Sequence, residues 1–220
     1  MKSARQGEPN GSPLVTVCIP SYNHARFVGE SIQGILNQTY PNIELIIIDD
    51  GSSDDSVEII QSYVEACQRR FVRFEFRSQR NKGLSTTLNM ALEWAEGDYF
   101  SPIASDDVAL PHKISVLVEH LESHPSHHAA TGCVREIDEA GNVLKTHSLM
   151  SETYKEWSFE KIIMGRAMLS APASAFRTES LIAMGGYNPK TILEDWDMWL
   201  RFSSQRKRSI ATLPMVVTSY

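Results

Sequence analysis

The sequence predicts a single α/β domain with a Rossmann-like, mostly parallel central sheet flanked by helices. Short β-rich runs alternate with segments of helical periodicity, which is the pattern of successive βαβ units. Residues 43–48 are apolar nearly throughout, as expected of a strand that is covered on both faces. The chain has 220 residues, 42% of them hydrophobic, which is enough for one sizeable domain.

The first half contains four predicted strands that alternate with three predicted helices. Pro20 is expected to stop the first strand, Asp54 to cap the second helix, and Gly97 to end the third. Alternating apolar and charged residues from 72 to 77 predict a half-exposed strand near the sheet edge. The strands are predicted at residues 14–19, 43–48, 72–77 and 99–103, and the helices at 28–36, 57–67 and 84–95.

The second half is less regular. A helix is predicted at 114–121, two strands at 131–137 and 143–148 joined by a turn at 138–142, and a last strand at 213–217. Further helices are predicted near 158–164, 179–184 and 194–203. We expect residues 1–13 to be a flexible leader. Residues 14–220 would then form one domain with two parts, at 14–107 and 108–220.

Composition excludes some classes of protein. The formal net charge of −6 argues against nucleic acid as a partner, because phosphate recognition favours a basic surface. No apolar run approaches the ~20 residues that span a bilayer. The polar start of the chain has no signal-peptide core. Three widely spaced cysteines without a C-x-x-C pair predict reduced, buried thiols in a cytoplasmic protein.

Carboxylates follow two of the predicted strands. Ligands of open parallel sheets bind beyond the carboxyl ends of the strands, where Asp49–Asp50 and Asp106–Asp107 stand. Four carboxylates close together are unfavourable unless a cation offsets their repulsion. A divalent metal with a diphosphate would do so. Lys82 could face the same ligand, whereas Arg77 and Arg80 are interpreted as a solvated basic loop.

A third carboxylate group, Glu194, Asp195 and Asp197, falls in the first turn of a predicted helix. One interpretation is helix-start charge that complements the helix dipole. The other is that Asp195 takes a proton from an acceptor hydroxyl as a general base. Trp196 and Trp199 are interpreted mainly as anchors of this helix, with a sugar-stacking role as the alternative.

These stretches together resemble the inverting glycosyltransferases of family 2, which have the GT-A fold with a small acceptor-side extension. Residues 15–23, V-T-V-C-I-P-S-Y-N, are similar to the opening strand of that family and its nucleotide-facing end. Residues 44–54, E-L-I-I-I-D-D-G-S-S-D, are similar to its second strand. N-K-G at 81–83, L-N at 88–89, S-D-D at 105–107, G-G-Y at 185–187 and E-D-W-D-M-W-L-R at 194–201 follow in the order of the family's motifs.

The resemblance implies that 14–220 is a single catalytic domain, with a nucleotide-binding half at 14–107 and an acceptor-binding half at 108–220. It also implies roles for particular residues. Asp106 would hold Mn²⁺ or Mg²⁺, and Asp195 would be the catalytic base. Glu194 and Trp196 would lie on the acceptor side. Two positions depart from the family pattern: Ala104 replaces the first aspartate of D-x-D, and Leu88 replaces an arginine. Nucleotide-sugar contacts are implied for Pro20, Tyr22, Asp50, Lys82, Gly83, Asn89, Ser105 and Asp106.

The implied activity is transfer of a sugar from a nucleotide-diphosphate donor, UDP-sugar favoured, to a hydroxyl of a carbohydrate or lipid-linked carbohydrate, with inversion. Bacterial surface polysaccharide synthesis is the expected setting. The expected location is the cytoplasm, at the inner face of the cell membrane if the basic residues Arg201 and Arg206–Arg208 touch lipid. The alternatives are a degenerate domain that binds nucleotide without turnover, and a sugar nucleotidyltransferase, against which no Gly-rich phosphate loop is found.

Four histidines, His120, His124, His127 and His128, stand close together. His120 and His124 have the i, i+4 spacing of a helical metal pair, but no glutamate lies between them as in H-E-x-x-H. The sequence is interpreted here as a solvated helix terminus rather than a zinc site.

Overall fold

A computed structural model describes residues 11–205 and 209–220, and it confirms the predicted α/β class with a central sheet flanked by helices. Part of the predicted leader, residues 1–10, and the basic residues 206–208 lie outside the described residues. The strands are β1 Val15–Ser21, β2 Ile43–Asp49, β3 Arg73–Ser78, β4 Tyr99–Pro102, β5 Val108–Ala109, β6 Ala129–Ile137, β7 Val143–His147, β8 Lys155–Glu156, β9 Ser174–Arg177 and β10 Ile210–Ser219. The helices are α1 Val28–Leu36, α2 Ser56–Arg70, α3 Leu84–Trp94, α4 Lys113–Ser123, α5 Phe159–Ile163, α6 Thr178–Ala183 and α7 Glu194–Gln205.

All these strands join one sheet in the order β3-β2-β1-β4-β9-β6-β10-β5, with β7 beside β6 and β8 beside β10. The strands β3, β2, β1 and β4 are parallel, so their carboxyl ends meet at one edge. β9 then pairs antiparallel with both β4 and β6. β3 is an edge strand, as its alternating pattern predicts.

The sheet is packed on both faces. Successive side chains of a strand point to opposite faces, and every residue of β2 is buried. Val17 and Leu45 share a core cluster with residues of α1, α2 and α4, whereas Cys18 and Ile46 share one with α3 and α7. The prediction that β2 is covered on both faces is therefore confirmed.

Two boundary predictions are wrong for physical reasons. β1 continues through Pro20 to Ser21, because β4 pairs with β1 only as far as Cys18 and the missing amide of Pro20 costs no bond to β4. α3 ends at Trp94, before Gly97. Gly97 serves a close approach instead, since a Cβ there would lie 2.5 Å from the Thr16 amide nitrogen.

The short strands β5, β8 and β9 were not predicted. Each has two to four residues, so none carries enough sequence to show a period. The predicted helices of the second half and the hairpin β6–β7 are confirmed within a few residues. Within the described residues, no helix is both long enough and apolar enough to cross a membrane.

Candidate active site

The loops after β1 and β2 are joined by hydrogen bonds at the carboxyl edge of the sheet. The Asn23 side-chain oxygen accepts from the Ser53 amide at 2.8 Å, and the Asn23 amide donates to Ser52 Oγ at 2.9 Å. Asn23 has a φ of 53°, a left-handed conformation that asparagine tolerates better than most residues. Tyr22 beside it is 50% exposed, so its ring lies at the rim of this edge.

The Asp50 carboxylate is buried and held by three donors. The amides of Lys82 and Gly83 donate to it at 2.9 and 2.8 Å, and Gln79 Nε2 donates at 2.8 Å. Hydrogen bonds to an ionised acceptor are about twice as strong as neutral ones, so the carboxylate is fixed in orientation. A nucleotide would contact Asp50 through the lone pairs that these donors leave. That contact stays a prediction.

Asp106 is the solvent-facing member of the Asp106–Asp107 pair. Its side chain is 46% exposed, whereas Asp107 is buried, and burial followed by the charge of Asp106 raises the pKa of Asp107 to about 7. His24 Nδ1 lies 2.8 Å from the buried Ser105 Oγ and 3.7 Å from Asp106 Oδ1. Sequence reasoning missed His24, although it stands in the loop after β1 at the ligand edge.

The residues here fit a divalent cation. Asp106 offers a hard oxygen ligand that faces solvent, and the Ala104 side chain offers none. Magnesium-type ions commonly bind through one or two carboxylates together with substrate phosphates and water. The assignment of Asp106 as the ligand of Mn²⁺ or Mg²⁺ stays a prediction.

A cavity of about 300 Å³ lies between the ends of β1 and β4, the start of α3 and the start of α7. Glu194 and Asp195 supply its carboxylates, and most of the remaining lining is apolar. Leu88 and Ala104, the two departures from the family pattern, both line this cavity together with Pro20. Both departures therefore change the lining of the same cavity, which is less polar than the resemblance implies.

Asp195 lies in the first turn of α7, as predicted. It is half-buried, and its Oδ1 accepts from the Trp196 amide at 2.7 Å. Burial raises the pKa of the neighbouring Glu194. Trp199 is buried and stacks on Phe176 with ring centroids 5.0 Å apart, while Trp196 packs partly buried against the same core. The interpretation of both tryptophans as helix anchors fits this packing.

Tyr187 lines the cavity, but its hydroxyl is enclosed by protein. This hydroxyl has no hydrogen-bond partner among the described residues. Burial, and then nearby charges that include Glu194 and Asp195, raise its pKa. The sequence shows this tyrosine only as part of the motif G-G-Y.

Asn89 holds Tyr187 in place. The side-chain Nδ2 of Asn89 donates to the backbone carbonyl of Tyr187 at 2.8 Å. The side-chain Oδ1 of Asn89 accepts from the backbone amide of Tyr187 at 2.7 Å. Gly186 is required beside it, because its φ is 71° and a Cβ would lie 2.4 Å from Asn89 Oδ1. Asn89 is thus a positioning residue in this structure, and its direct contact with a donor stays a prediction.

The predicted site residues fall into three neighbouring groups. Pro20, Glu194 and Asp195 share the cavity, and a groove of about 220 Å³ lined by Lys82 and Gly83 adjoins it at Glu194. Asp50 and Ser105 are buried behind these surfaces. Asp106 lines a separate hollow of about 340 Å³ with Arg26 and Tyr220. The structure does not bring Asp106 and Asp195 into one cavity.

Two basic residues weighed in the sequence have structural partners. Arg77 pairs with Glu75 at 2.8 Å and lies over the Trp94 ring at 3.9 Å. Arg201 donates to Asp197 at 2.7 Å and to the carbonyls of Met184 and Gly186. Arg201 therefore supports the start of α7, and the basic patch expected around it would rest on residues outside the described part of the chain.

The interpretation of the histidines as a solvated helix terminus is wrong. His120 is 7% exposed and His127 only 1%. His124 is half-buried between them. Tyr154, from the segment before β8, packs edge-on against all three rings and excludes water from them.

Comparison with known proteins finds relatives that match most of the chain. The family model described as Glycosyl transferase family 2 matches residues 16–182. The chain is 29% identical over 192 residues to chondroitin synthase of Escherichia coli, covering 87% of this chain and 26% of that protein. It is 30% identical over 221 residues to an uncharacterized glycosyltransferase of Haemophilus influenzae, covering 94% of this chain and 65% of the relative. It thus spans less than two thirds of either relative.

Solved structures show the same fold. TarS of S. aureus in complex with UDP-GlcNAc superposes with a TM-score of 0.76 at 20% identity, over 94% of this chain and 58% of that one. A mannosyltransferase of Pyrobaculum calidifontis in complex with GDP-Man and Mn²⁺ gives a TM-score of 0.71 at 18% identity, over 96% and 59%. The expected GT-A fold is confirmed.

Proposed function

Because this chain belongs to glycosyltransferase family 2, we propose that it transfers a sugar from a nucleotide-diphosphate donor to an acceptor hydroxyl with inversion at the anomeric carbon. One observation carries the proposal. Asp195 and Ala104 both line the cavity at the carboxyl ends of β1 and β4, and Ala104 stands two residues before the exposed carboxylate of Asp106. A donor whose diphosphate lies at Asp106 would extend its sugar past Ala104 toward Asp195.

The donor would lie along the carboxyl edge of the first four strands. We favour a UDP-sugar, and the neighbour bound to UDP-GlcNAc supports this choice, while the one bound to GDP-Man makes the nucleotide a question for experiment. The exposed ring of Tyr22 and the groove lined by Lys82 and Gly83 border the space for the nucleotide. The residues proposed to contact the donor are Pro20, Tyr22, Asp50, Lys82, Gly83, Asn89, Ser105 and Asp106.

Asp195 acts as general base in the proposed reaction. Its carboxylate takes the proton of the acceptor hydroxyl as that oxygen attacks the anomeric carbon. The bond from this carbon to the phosphate oxygen breaks, and the nucleoside diphosphate leaves with the electron pair. A divalent ion bound at Asp106 supplies charge neutralisation to the diphosphate. Attack from the face opposite to the leaving group inverts the stereochemistry.

The acceptor would enter beside α7. Glu194 and Trp196 lie next to the base in α7, and Tyr187 lines the same cavity. We propose a carbohydrate or lipid-linked carbohydrate acceptor in bacterial surface polysaccharide synthesis, with the chondroitin synthase relative as support. We place the activity in the cytoplasm, which suits the three free, buried cysteines, and at the inner membrane face if the acceptor is lipid-linked.

A second function, nucleotide binding without turnover, is favoured by one observation. Ala104 leaves Asp106 as the one exposed carboxylate of the segment, which weakens the expected metal site. The sugar nucleotidyltransferase alternative is not retained, because the chain belongs to a glycosyltransferase family.

Calorimetric titration of UDP, GDP, dTDP and CMP, with and without Mn²⁺, separates these proposals. The matched control for Asp106→Ala is Glu65→Ala, an exposed carboxylate on α2 far from the sheet edge. We expect one nucleotide to bind in a Mn²⁺-dependent manner to the parent and to Glu65→Ala, and Asp106→Ala to lose about tenfold or more in affinity. Binding that ignores both Mn²⁺ and Asp106 would overturn the metal assignment. Tight binding without release of nucleotide from any sugar donor would favour the non-enzymatic function.

A further inference from the structure

Three histidines converge at the edge of the sheet opposite to the candidate active site. His120 lies in the last turn of α4, His124 directly follows that helix, and His127 stands two residues before β6. The active-site segments follow the carboxyl ends of β1, β2 and β4, whereas β6 and β10, which run parallel to each other, begin beside His127. We propose that His120, His124 and His127 bind a Zn²⁺ ion here.

The separation of the ring nitrogens suits one small ion. One nitrogen from each of the three residues lies within 4.8 Å of both others. Three points spaced in this way lie at most about 2.8 Å from a common centre, and Zn–N bonds measure about 2.0–2.1 Å. Side-chain movements of less than ~1 Å would therefore bring all three nitrogens to bonding distance.

The outer nitrogens of two rings are already paired in the manner of metal-bound imidazoles. His127 Nε2 lies 3.1 Å from a carboxylate oxygen of Glu156, and His124 Nδ1 lies 2.9 Å from the backbone carbonyl oxygen of His120. Metal-binding histidines almost always donate their second N–H to a carboxylate, a carbonyl or water. This pairing leaves His127 Nδ1 and His124 Nε2 as the nitrogens that can accept a cation.

The nitrogens that would bind the ion in His120 and His127 contact each other. His120 Nε2 lies 2.9 Å from His127 Nδ1. If His127 Nε2 carries the ring proton and donates it to Glu156, His127 Nδ1 carries no proton. This Nδ1 then accepts a hydrogen bond from His120 or binds a cation. A Zn²⁺ ion would accept both nitrogens at once. Without an ion, the same contact is a neutral hydrogen-bond relay toward Glu156.

The ligand type and the burial favour Zn²⁺ over the hard ions expected at Asp106. Imidazole suits Zn²⁺ and its neighbours in the transition series, whereas Mg²⁺ and Mn²⁺ prefer oxygen. The rings are packed beneath Tyr154, so few waters compete. A bound ion would fasten the end of α4 to the entry of β6 and, through Glu156, to β8. The three histidines would leave the fourth tetrahedral position of the ion to water.

The test uses the full chain with Asp106→Ala as background, which removes the proposed donor-site metal. Metal content is measured after chelator treatment, addition of Zn²⁺ and removal of the excess. Into this background go His124→Ala and, as matched control, His147→Ala, a histidine on β7 that pairs with Glu136. His124 is chosen because it is the least buried of the three, so its loss opens no core.

We expect about one Zn²⁺ per chain in the background and in the His147→Ala control, and loss of most of it in His124→Ala. Added Zn²⁺ should also raise the melting temperature of the background but not of His124→Ala. Equal metal content in the two histidine variants, or a folded background that retains no Zn²⁺, would overturn the proposal and leave only the hydrogen-bond relay. The outcome does not depend on glycosyl transfer.

Discussion

The two halves of the sheet are built differently. The half β3-β2-β1-β4 is parallel, and each pair runs in unbroken register. In the half β9-β6-β10-β5, together with β7 and β8 beside it, most pairs are antiparallel. Three of its strands have two to four residues, and the pairing of β10 with β6 contains register shifts. The first half repeats one local unit, whereas the second depends on contacts between distant segments.

This difference matters for function because the candidate site lies at the seam, which is where the two halves of the sheet meet. The nucleotide-facing loops come from the parallel half, and Asp195 and Tyr187 come from the irregular half. A rigid parallel scaffold can hold a recurrent ligand such as a nucleotide. In the proposed reaction, residues of the shorter elements opposite it would contact the sugar and the acceptor.

Truncation in the parallel core should give the largest loss of stability. Ile46 is fully buried in β2, and we expect Ile46→Ala to lower the free energy of unfolding by about 2–5 kcal/mol. The equivalent change in the other half is Ile210→Ala in β10, and the surface control is Val143→Ala in β7. Urea unfolding measures all three. If Ile46→Ala lowers the free energy of unfolding no more than Val143→Ala does, β2 is not part of the stabilising core.

The seam itself can be weakened at Asn89. Asn89→Ala removes both hydrogen bonds to the Tyr187 backbone, one of which would leave a buried group unpaired. We expect a loss of about 1–3 kcal/mol in unfolding free energy. A proportionally larger fall in donor turnover than in nucleotide affinity is also expected, since Tyr187 lines the sugar end of the cavity. Unchanged stability would show that α3 and the Gly185–Tyr187 turn are not joined by this side chain.

A gain of affinity should follow from restoring a carboxylate in the parallel half. Ala104→Asp places a second acidic group two residues before Asp106, and we expect it to tighten Mn²⁺-dependent nucleotide binding by about tenfold. Calorimetry with and without Mn²⁺ measures this change, and Ala104→Asn provides a control of matched size without charge. Equal affinities for the two variants would mean that position 104 does not reach the metal.

The smallest effect concerns the exposed hairpin β6–β7. The hydrogen bond from His147, at 2.5 Å, holds the pKa of Glu136 below the ordinary value of a glutamate. A carboxyl whose folded pKa is depressed contributes stability above its unfolded pKa and loses it as pH falls through the folded value. We expect the hairpin to loosen slightly below about pH 4.5. Nuclear magnetic resonance titration should show this in the parent but not in Glu136→Gln.

Much of the parallel half could be predicted from sequence, since its strands are apolar runs bounded by turn residues. The carboxylates of the candidate site could be placed because they follow those runs directly. Predicted strand ends were wrong where pairing between strands decides them. β1 continues through Pro20 because β4 pairs with β1 only as far as Cys18. Likewise, β9 has four residues and exists because β4 and β6 flank it.

Contacts between distant segments of the chain could not be predicted from the sequence. Nothing local indicates that Asn89 binds the backbone of Tyr187, 98 residues away, or that His24 lies beside Ser105. The histidine cluster was misjudged because its flanking residues are polar, while its burial comes from Tyr154 and Glu156 in a later segment. Burial by a distant segment leaves no trace in the local pattern.

The most direct test of the central claim is release of nucleoside diphosphate from the preferred sugar donor by Asp195→Asn, with Glu194→Gln as the matched neighbour. We predict that Asp195→Asn lowers the turnover rate by about 10²–10⁴-fold at unchanged nucleotide affinity, because only the base is lost. Glu194→Gln should have a much smaller effect. An Asp195→Asn protein that turns over donor at the parent's rate would contradict the account.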